Sequence, residues 1–225
     1  MPRTARASVG GICCHAINRG NGRVAVFHAD GDYAAFARLI GEASQRLAMR
    51  LLAYCLMPNH FHLVLWPHAD SDLGRWMQWL LTAHVRRYHR LRGTSGHVWQ
   101  GRFKAFPIQQ DEHLLTVLRY VERNPRRAGL TTRAEDWRWS SLWRHGRSAR
   151  KNDAPILTAW PTDQPRDWVS RVNRPETDEE LAAIRHSVQR SAPFGTEHWQ
   201  VRTAARLGLE SSLRPRGRPR KRPEK

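Results

Sequence analysis

Arg50-Leu51-Leu52-Ala53-Tyr54-Cys55-Leu56-Met57-Pro58-Asn59-His60-Phe61-His62-Leu63-Val64-Leu65-Trp66 is the stretch whose reading decides the fold. Two strand-sized runs, 50–57 and 60–66, flank a Pro-Asn turn signal, which predicts a β-hairpin. Residues two apart in a strand share a face, so His60 and His62 project together. Upstream, residues 10–18 (Gly-Gly-Ile-Cys-Cys-His-Ala-Ile-Asn) read as a first strand ending in the turn Arg19-Gly20-Asn21-Gly22. A helix follows with Asp32 as N-cap, on the spacing of Phe36, Leu39, Ile40, Ala43 and Leu47.

Downstream, a helix over 72–92 carries Leu73, Trp76, Met77, Leu80, His84, Val85, Tyr88 and Leu91 along one stripe. Arg86, Arg87, Arg90 and Arg92 lie on its other face, and Gly93 ends it. Residues 97–108 read as another strand, and Asp111 opens a helix that stops near Asn124 before Pro125. The order is β-α-β-β-α-β-α. Its first six elements predict an α+β fold, a ferredoxin-like antiparallel sheet with helices packed on it. The catalytic-type domain is placed at 8–145. Residues 146–213 form an extension with helical stretches at 178–189 and 197–207. The tail, 214–225, holds seven Lys/Arg against one Glu and is too polar to fold alone.

A formal charge of +18, from 38 Lys+Arg against 20 Asp+Glu, points to a phosphate-rich partner or, in competition, an anionic membrane surface. No apolar run reaches membrane-spanning length, and Met1-Pro-Arg-Thr-Ala-Arg has no apolar stretch behind it to act as a signal peptide. Cys13, Cys14 and Cys55 show neither a disulfide framework nor zinc spacing. The expectation is a cytoplasmic, nucleoid-associated protein without a membrane partner.

Two neutral imidazoles on one face make half of a divalent metal site. With 12 His in 225 residues, roughly half a His-x-His is expected by chance, so the triplet alone decides little. Tyr120 and Asn124, four apart, share a helical face. Together they offer a nucleophile and a carbonyl-oxygen ligand; singly, Tyr120 reads more readily as a core residue and Asn124 as a helix terminator. Tyr88 is the rival nucleophile, but it lies in the apolar stripe and lacks an Asn one turn later.

Met57-Pro-Asn-His-Phe-His-Leu-Val-Leu, Gln100-Gly-Arg-Phe-Lys, Arg119-Tyr-Val-Glu-Arg-Asn-Pro-Arg-Arg-Ala-Gly-Leu and Trp139-Ser-Ser, in that order, resemble the REP-associated tyrosine transposases of the single-tyrosine HUH (IS200-like) superfamily. The resemblance covers roughly residues 8–145. It implies the HUH endonuclease fold, Tyr120 as nucleophile, and His60, His62 and Asn124 as ligands of Mg²⁺ or Mn²⁺. Better-known insertion-sequence relatives carry Gln in the third-ligand place. The implied substrate is single-stranded or hairpin DNA, cut through a 5′-phosphotyrosine link by a monomer or homodimer. A free phenol ionises only near pH ~10, so such a nucleophile needs help at neutral pH.

Arg86, Arg87, Arg90, Arg102, Lys104, Arg123, Arg126 and Arg127 are candidates to track a phosphate backbone, with Trp99 or Phe103 stacking bases. In the tail, Arg216, Arg218 and Arg220 surround a Gly-Arg-Pro core like an AT-hook, with a generic basic tail as the equal alternative. Trp137, Trp139 and Trp143 read as packing that closes the domain. Competing functions are a non-catalytic DNA- or RNA-binding regulator and a replication initiator with the same chemistry. A zinc hydrolase lacks the HExxH or carboxylate partner it needs.

Overall fold

The computed structural model describes residues 9–144 and 155–214. Strands β1 (Cys13–Arg19), β2 (Met49–Met57), β3 (His60–Pro67) and β4 (Lys104–Ile108) alternate with helices α1 (Asp30–Arg46), α2 (Asp72–Arg92) and α3 (Glu112–Glu122) in the expected order. The sheet runs β2-β3-β1-β4 and is antiparallel throughout. Met57 faces His60 across the Pro58-Asn59 turn, so the hairpin is present. Alternation along β3 then sorts the core. Phe61, Leu63 and Leu65 enter one cluster with α1 and α2, whereas Val64 enters a second cluster with α3. This is the ferredoxin-like arrangement, with two helices on one face and α3 on the other.

Several local expectations are corrected. Ala29, not Asp32, is the N-cap of α1; the Asp32 carboxylate instead accepts from the His28 N–H and pairs with Arg92 at 2.8 Å. Residues 97–103 are not a strand: they fold across the sheet end, touching it through a Gly20–Trp99 bridge, and β4 starts at Lys104. Val98, Trp99 and Phe103 are plugs in the first core cluster, so neither Trp99 nor Phe103 presents its ring to stack a base. Leu91 is 54% exposed rather than packed, whereas Gly93 does end α2 in the left-handed conformation at φ 59°. Pro125 does not end the helical path. It sits in the first turn of a short helix, α4 (Asn124–Arg127), where its missing N–H costs nothing.

The segment after α4 seals the edge of β2. Trp137 Nε1 donates to the Leu56 carbonyl at 2.9 Å, the Leu56 N–H donates to the Trp139 carbonyl, and Trp139 stacks on Tyr33. The three cysteines are buried free thiols. No helix among the described residues is long and apolar enough to cross a membrane.

The extension contains α5 (Trp168–Asn173), α6 (Asp178–Arg190), α7 (Glu197–Leu207) and α8 (Glu210–Leu213). The sequence placed the middle two and missed α5 and α8. α6 opens with a capping box between Thr177 and Glu180. Trp168, Val172, Ile184 and Phe194 lie in the same cluster as Leu118 and Val121 of α3, so the extension completes the second core. Phe194 also adds to the free edge of β4 through hydrogen bonds with Pro107 and Gln109.

Two predictions follow from this packing. Glu122 is fully buried, with Ser141 Oγ donating to one carboxylate oxygen at 2.5 Å and Trp168 Nε1 to the other at 2.7 Å. Burial pushes its carboxyl up to about 7, against the two hydrogen bonds that lower it. The fold thus holds a proton the unfolded chain has lost, and the associated stability, full below pH ~4.5, is lost as pH rises through about 7. Urea unfolding should therefore show wild type losing up to about 3 kcal/mol relative to Glu122→Gln between pH 4.5 and 8. Separately, the Glu176 side chain is 2% exposed and pairs with Arg123 at 2.8 Å and Arg127 at 2.9 Å. Glu176→Gln should cost about 3 kcal/mol in the same measurement, because two partly buried guanidinium groups lose their counter-charge.

Candidate active site

β3 turns His60 and His62 toward the face covered by α3. Two cross-strand rows define that face: Met57–His60–Arg19, and Cys55–His62–Ile17–Lys104. The turn that launches β3 is held from behind. The N–H groups of Val26 and Phe27 donate to the Pro58 carbonyl, and that of Gly20 donates to Asn59. A Cβ at Gly20 would lie 2.3 Å from the Val24 carbonyl oxygen, so this brace requires glycine.

Asp111 caps α3 by accepting from the His113 N–H at 2.9 Å. Leu114, Val117, Leu118 and Val121 bury one stripe of the helix, which fixes its rotation and turns Tyr120 toward the histidines. The phenol ring stands edge-on to His62, with centroids 5.8 Å apart, and lies 6.4 Å from the ring of His15. Arg123 keeps right-handed helical geometry and its N–H bonds to the Arg119 carbonyl. The step from α3 to α4 therefore preserves the one-turn relation of Tyr120 to Asn124. Asn124 is buried, and its Nδ2 donates to His62 Nε2 at 2.9 Å.

Burial pushes His60 down to about 4, helped by the charges of Arg19 and Arg127. Burial likewise holds His62 well below the usual histidine range, reinforced by His60, His15 and the two arginines. At neutral pH both imidazoles are uncharged and keep a lone pair, the form a metal ligand requires. Among the described residues no group of three or more His, Cys, Asp or Glu is placed to hold a metal ion. The donor set is two imidazoles and one amide. It fits a divalent cation whose remaining positions are filled by water and phosphate oxygen. To serve such an ion the Asn124 amide would turn its oxygen inward, a rotation about one side-chain bond.

The other candidate residues divide by place. The Arg127 guanidinium lies 4.1 Å over the Tyr120 ring and is held from the other end by Glu176. Arg123 and Arg126 turn into the extension, bonding the carbonyls of Val172 and Asn173 and the Asn173 side chain. Arg102 and Lys104 line a groove of about 550 Å³ with Arg19, Arg23 and Gln100, and among the described residues no acid lines it. Lys104 shares the His62 row, so the groove opens beside the histidines. Arg86, Arg87 and Arg90 sit on α2, across the sheet from α3, and are not brought to the site. Tyr88 is on the same far side, against His28 and His84. Arg216, Arg218 and Arg220 lie outside the described residues.

Sequence reasoning missed His15, Arg19 and Glu176. His15 was visible as a polar residue inside an apolar strand. Arg119, Arg123 and Arg127, spaced by four, announced a basic helix face that needed an acidic partner, but nothing local named Glu176.

The model of the family described as "Transposase IS200 like" matches residues 8–124, more than half of the chain. A protein of Haemophilus influenzae described as a candidate REP-associated tyrosine transposase is 28% identical over 103 residues, which cover 41% of this chain. The match spans 58% of that relative's length. A solved REP-associated tyrosine transposase bound to a REP hairpin superposes with a TM-score of 0.55 at 20% identity, covering 73% of this chain and 98% of that one. That likeness is one of fold. On the family match, seated on the strands and helix that carry His60, His62, Tyr120 and Asn124, this chain belongs to the IS200-like transposase family.

Proposed function

We propose that this protein cuts and rejoins single-stranded, hairpin-bearing DNA through a covalent link to Tyr120. The observation that carries the reading is the convergence, within one chain, of a phenol, two neutral imidazoles and an amide, next to a basic groove lined by Ile17 and Arg19, the cross-strand partners of His62 and His60. His60, His62 and Asn124 would hold Mg²⁺ or Mn²⁺. When bound, the cation polarises the scissile phosphate and offsets charge developing in the transition state.

The chain's own residues then have defined tasks. Tyr120 Oη attacks phosphorus, its proton passing to solvent. The P–O bond to the 3′ oxygen breaks, and that oxygen leaves as a hydroxyl after taking up a proton. One phosphate ester replaces another, so a 3′-OH can reverse the step without ATP. Arg127 holds the phenol ring while Glu176 holds Arg127. Because every named group comes from one chain, the reading requires no second copy.

The groove offers a path for the strand. Arg19, Arg23, Arg102 and Lys104 are spaced along it with no opposing acid, which suits a single-strand backbone rather than base readout.

Labelled single-stranded hairpin DNA incubated with the protein and Mn²⁺ should give a denaturation-resistant adduct, absent with EDTA and in Tyr120→Phe. An adduct that survives in Tyr120→Phe but is lost in Tyr88→Phe would contradict the assignment. DNA binding without any adduct would identify the non-catalytic regulator instead. In binding titrations against salt, Arg102→Ala combined with Lys104→Ala should lower the slope by about 1.4 for a hairpin with a single-stranded flank. The same hairpin without its flank should bind unchanged.

A further inference from the structure

His15 is not one of the proposed metal-holding or nucleophilic residues, yet it is fully buried beside them. It projects from β1 on the face shared with Ile17, whose cross-strand partner is His62. Its Nε2 lies 2.8 Å from His62 Nδ1. Its ring is packed between Phe106 at 4.9 Å and His62 at 5.0 Å. Its own Nδ1 is buried with no hydrogen-bond partner.

These contacts leave one consistent proton assignment. The Asn124 amide donates to His62 Nε2, so that nitrogen carries a lone pair. The proton of neutral His62 is then on Nδ1 and is donated to His15 Nε2. His15 Nε2 must accept, which sends its own proton to the Nδ1 that finds no acceptor. His60 is set in the same sense by a different group. Asn59 Nδ2 donates to the Arg23 carbonyl at 2.9 Å, which turns Asn59 Oδ1 toward His60 Nδ1 at 2.6 Å. An amide oxygen can only accept, so His60 is also protonated on Nδ1.

We infer that His15 is a positioning residue: it fixes His62 in the Nδ1–H tautomer and ring orientation that present the Nε2 lone pair to a divalent cation, as Asn59 does for His60. An outer hydrogen-bond acceptor commonly serves a metal-bound histidine in this way. Carboxylates often fill that place. A neutral imidazole fixes the same tautomer without adding negative charge beside a site that must admit a phosphate. The orphaned Nδ1 is explained too, because a residue kept only for packing would be better served by an apolar ring, which strands no buried N–H.

The inference rests on the reading of His60 and His62 as metal ligands, but its first test needs no metal. In the metal-free, ¹⁵N-labelled full-length protein, long-range ¹H–¹⁵N correlations of the imidazoles should show His62 protonated on Nδ1. A His62 found in the Nε2–H form overturns the inference. The second test is calorimetric titration with Mn²⁺ alone. His15→Phe should bind about 10–100-fold more weakly than wild type, and His15→Gln, which can return an acceptor oxygen, should recover part of that loss. Wild-type affinity in a folded His15→Phe also overturns it. If the wild-type protein binds no Mn²⁺, the metal reading fails, and the tautomer measurement still decides what His15 does to His62.

Discussion

The pairing of β3 between β2 and β1 is the constraint on which everything else rests. Central in a four-stranded antiparallel sheet, β3 has a fixed register on both sides, and a one-residue slip would exchange its two faces. The faces are chemically opposite near the hairpin. Phe61, Leu63 and Leu65 are wholly buried against α1 and α2. Burial of those three apolar side chains leaves His60 and His62 only the α3 face. Hydrophobic registry thus decides which face the two imidazoles share.

Tyr120 reaches the histidines by an independent route. α3 is rotated by its own apolar stripe, and the extension packs against that helix from the far side through Trp168, Val172 and Ile184. Three arginines at one-turn intervals, Arg119, Arg123 and Arg127, tie the helix to Glu176 and Glu180. The chain from Glu176 through Arg127 to the Tyr120 ring links the extension to the site. A segment whose sequence carries little pattern therefore bears on where the phenol sits.

Most of the sheet was legible because it was written in local signals: the Pro58-Asn59 turn, the period of two, the helical stripe ending at Gly93. Residues 97–103 misled because a loop that plugs a core also carries large apolar residues, as Val98, Trp99 and Phe103 do. Asp32 misled because its carboxylate serves Arg92, a partner 60 positions away. For the site, the i, i+4 relation of Tyr120 and Asn124 was readable, and the family pattern supplied their roles. The partners of His15 and Glu176 were not readable, since each acts through a contact across 47 or more positions that no local spacing encodes. The α2 arginines show the reverse error. They form a basic face in sequence, and the sheet places that face on the side away from Tyr120.

The central claim is that one chain assembles a cation site from His60, His62 and Asn124 directly beside Tyr120. Anomalous diffraction from crystals soaked in Mn²⁺ tests it most directly. The account predicts a single strong peak shared by His60 Nε2, His62 Nε2 and the Asn124 side chain, next to the phenol of the same chain. A peak held by other residues, or one completed by a tyrosine from a second copy, would contradict it.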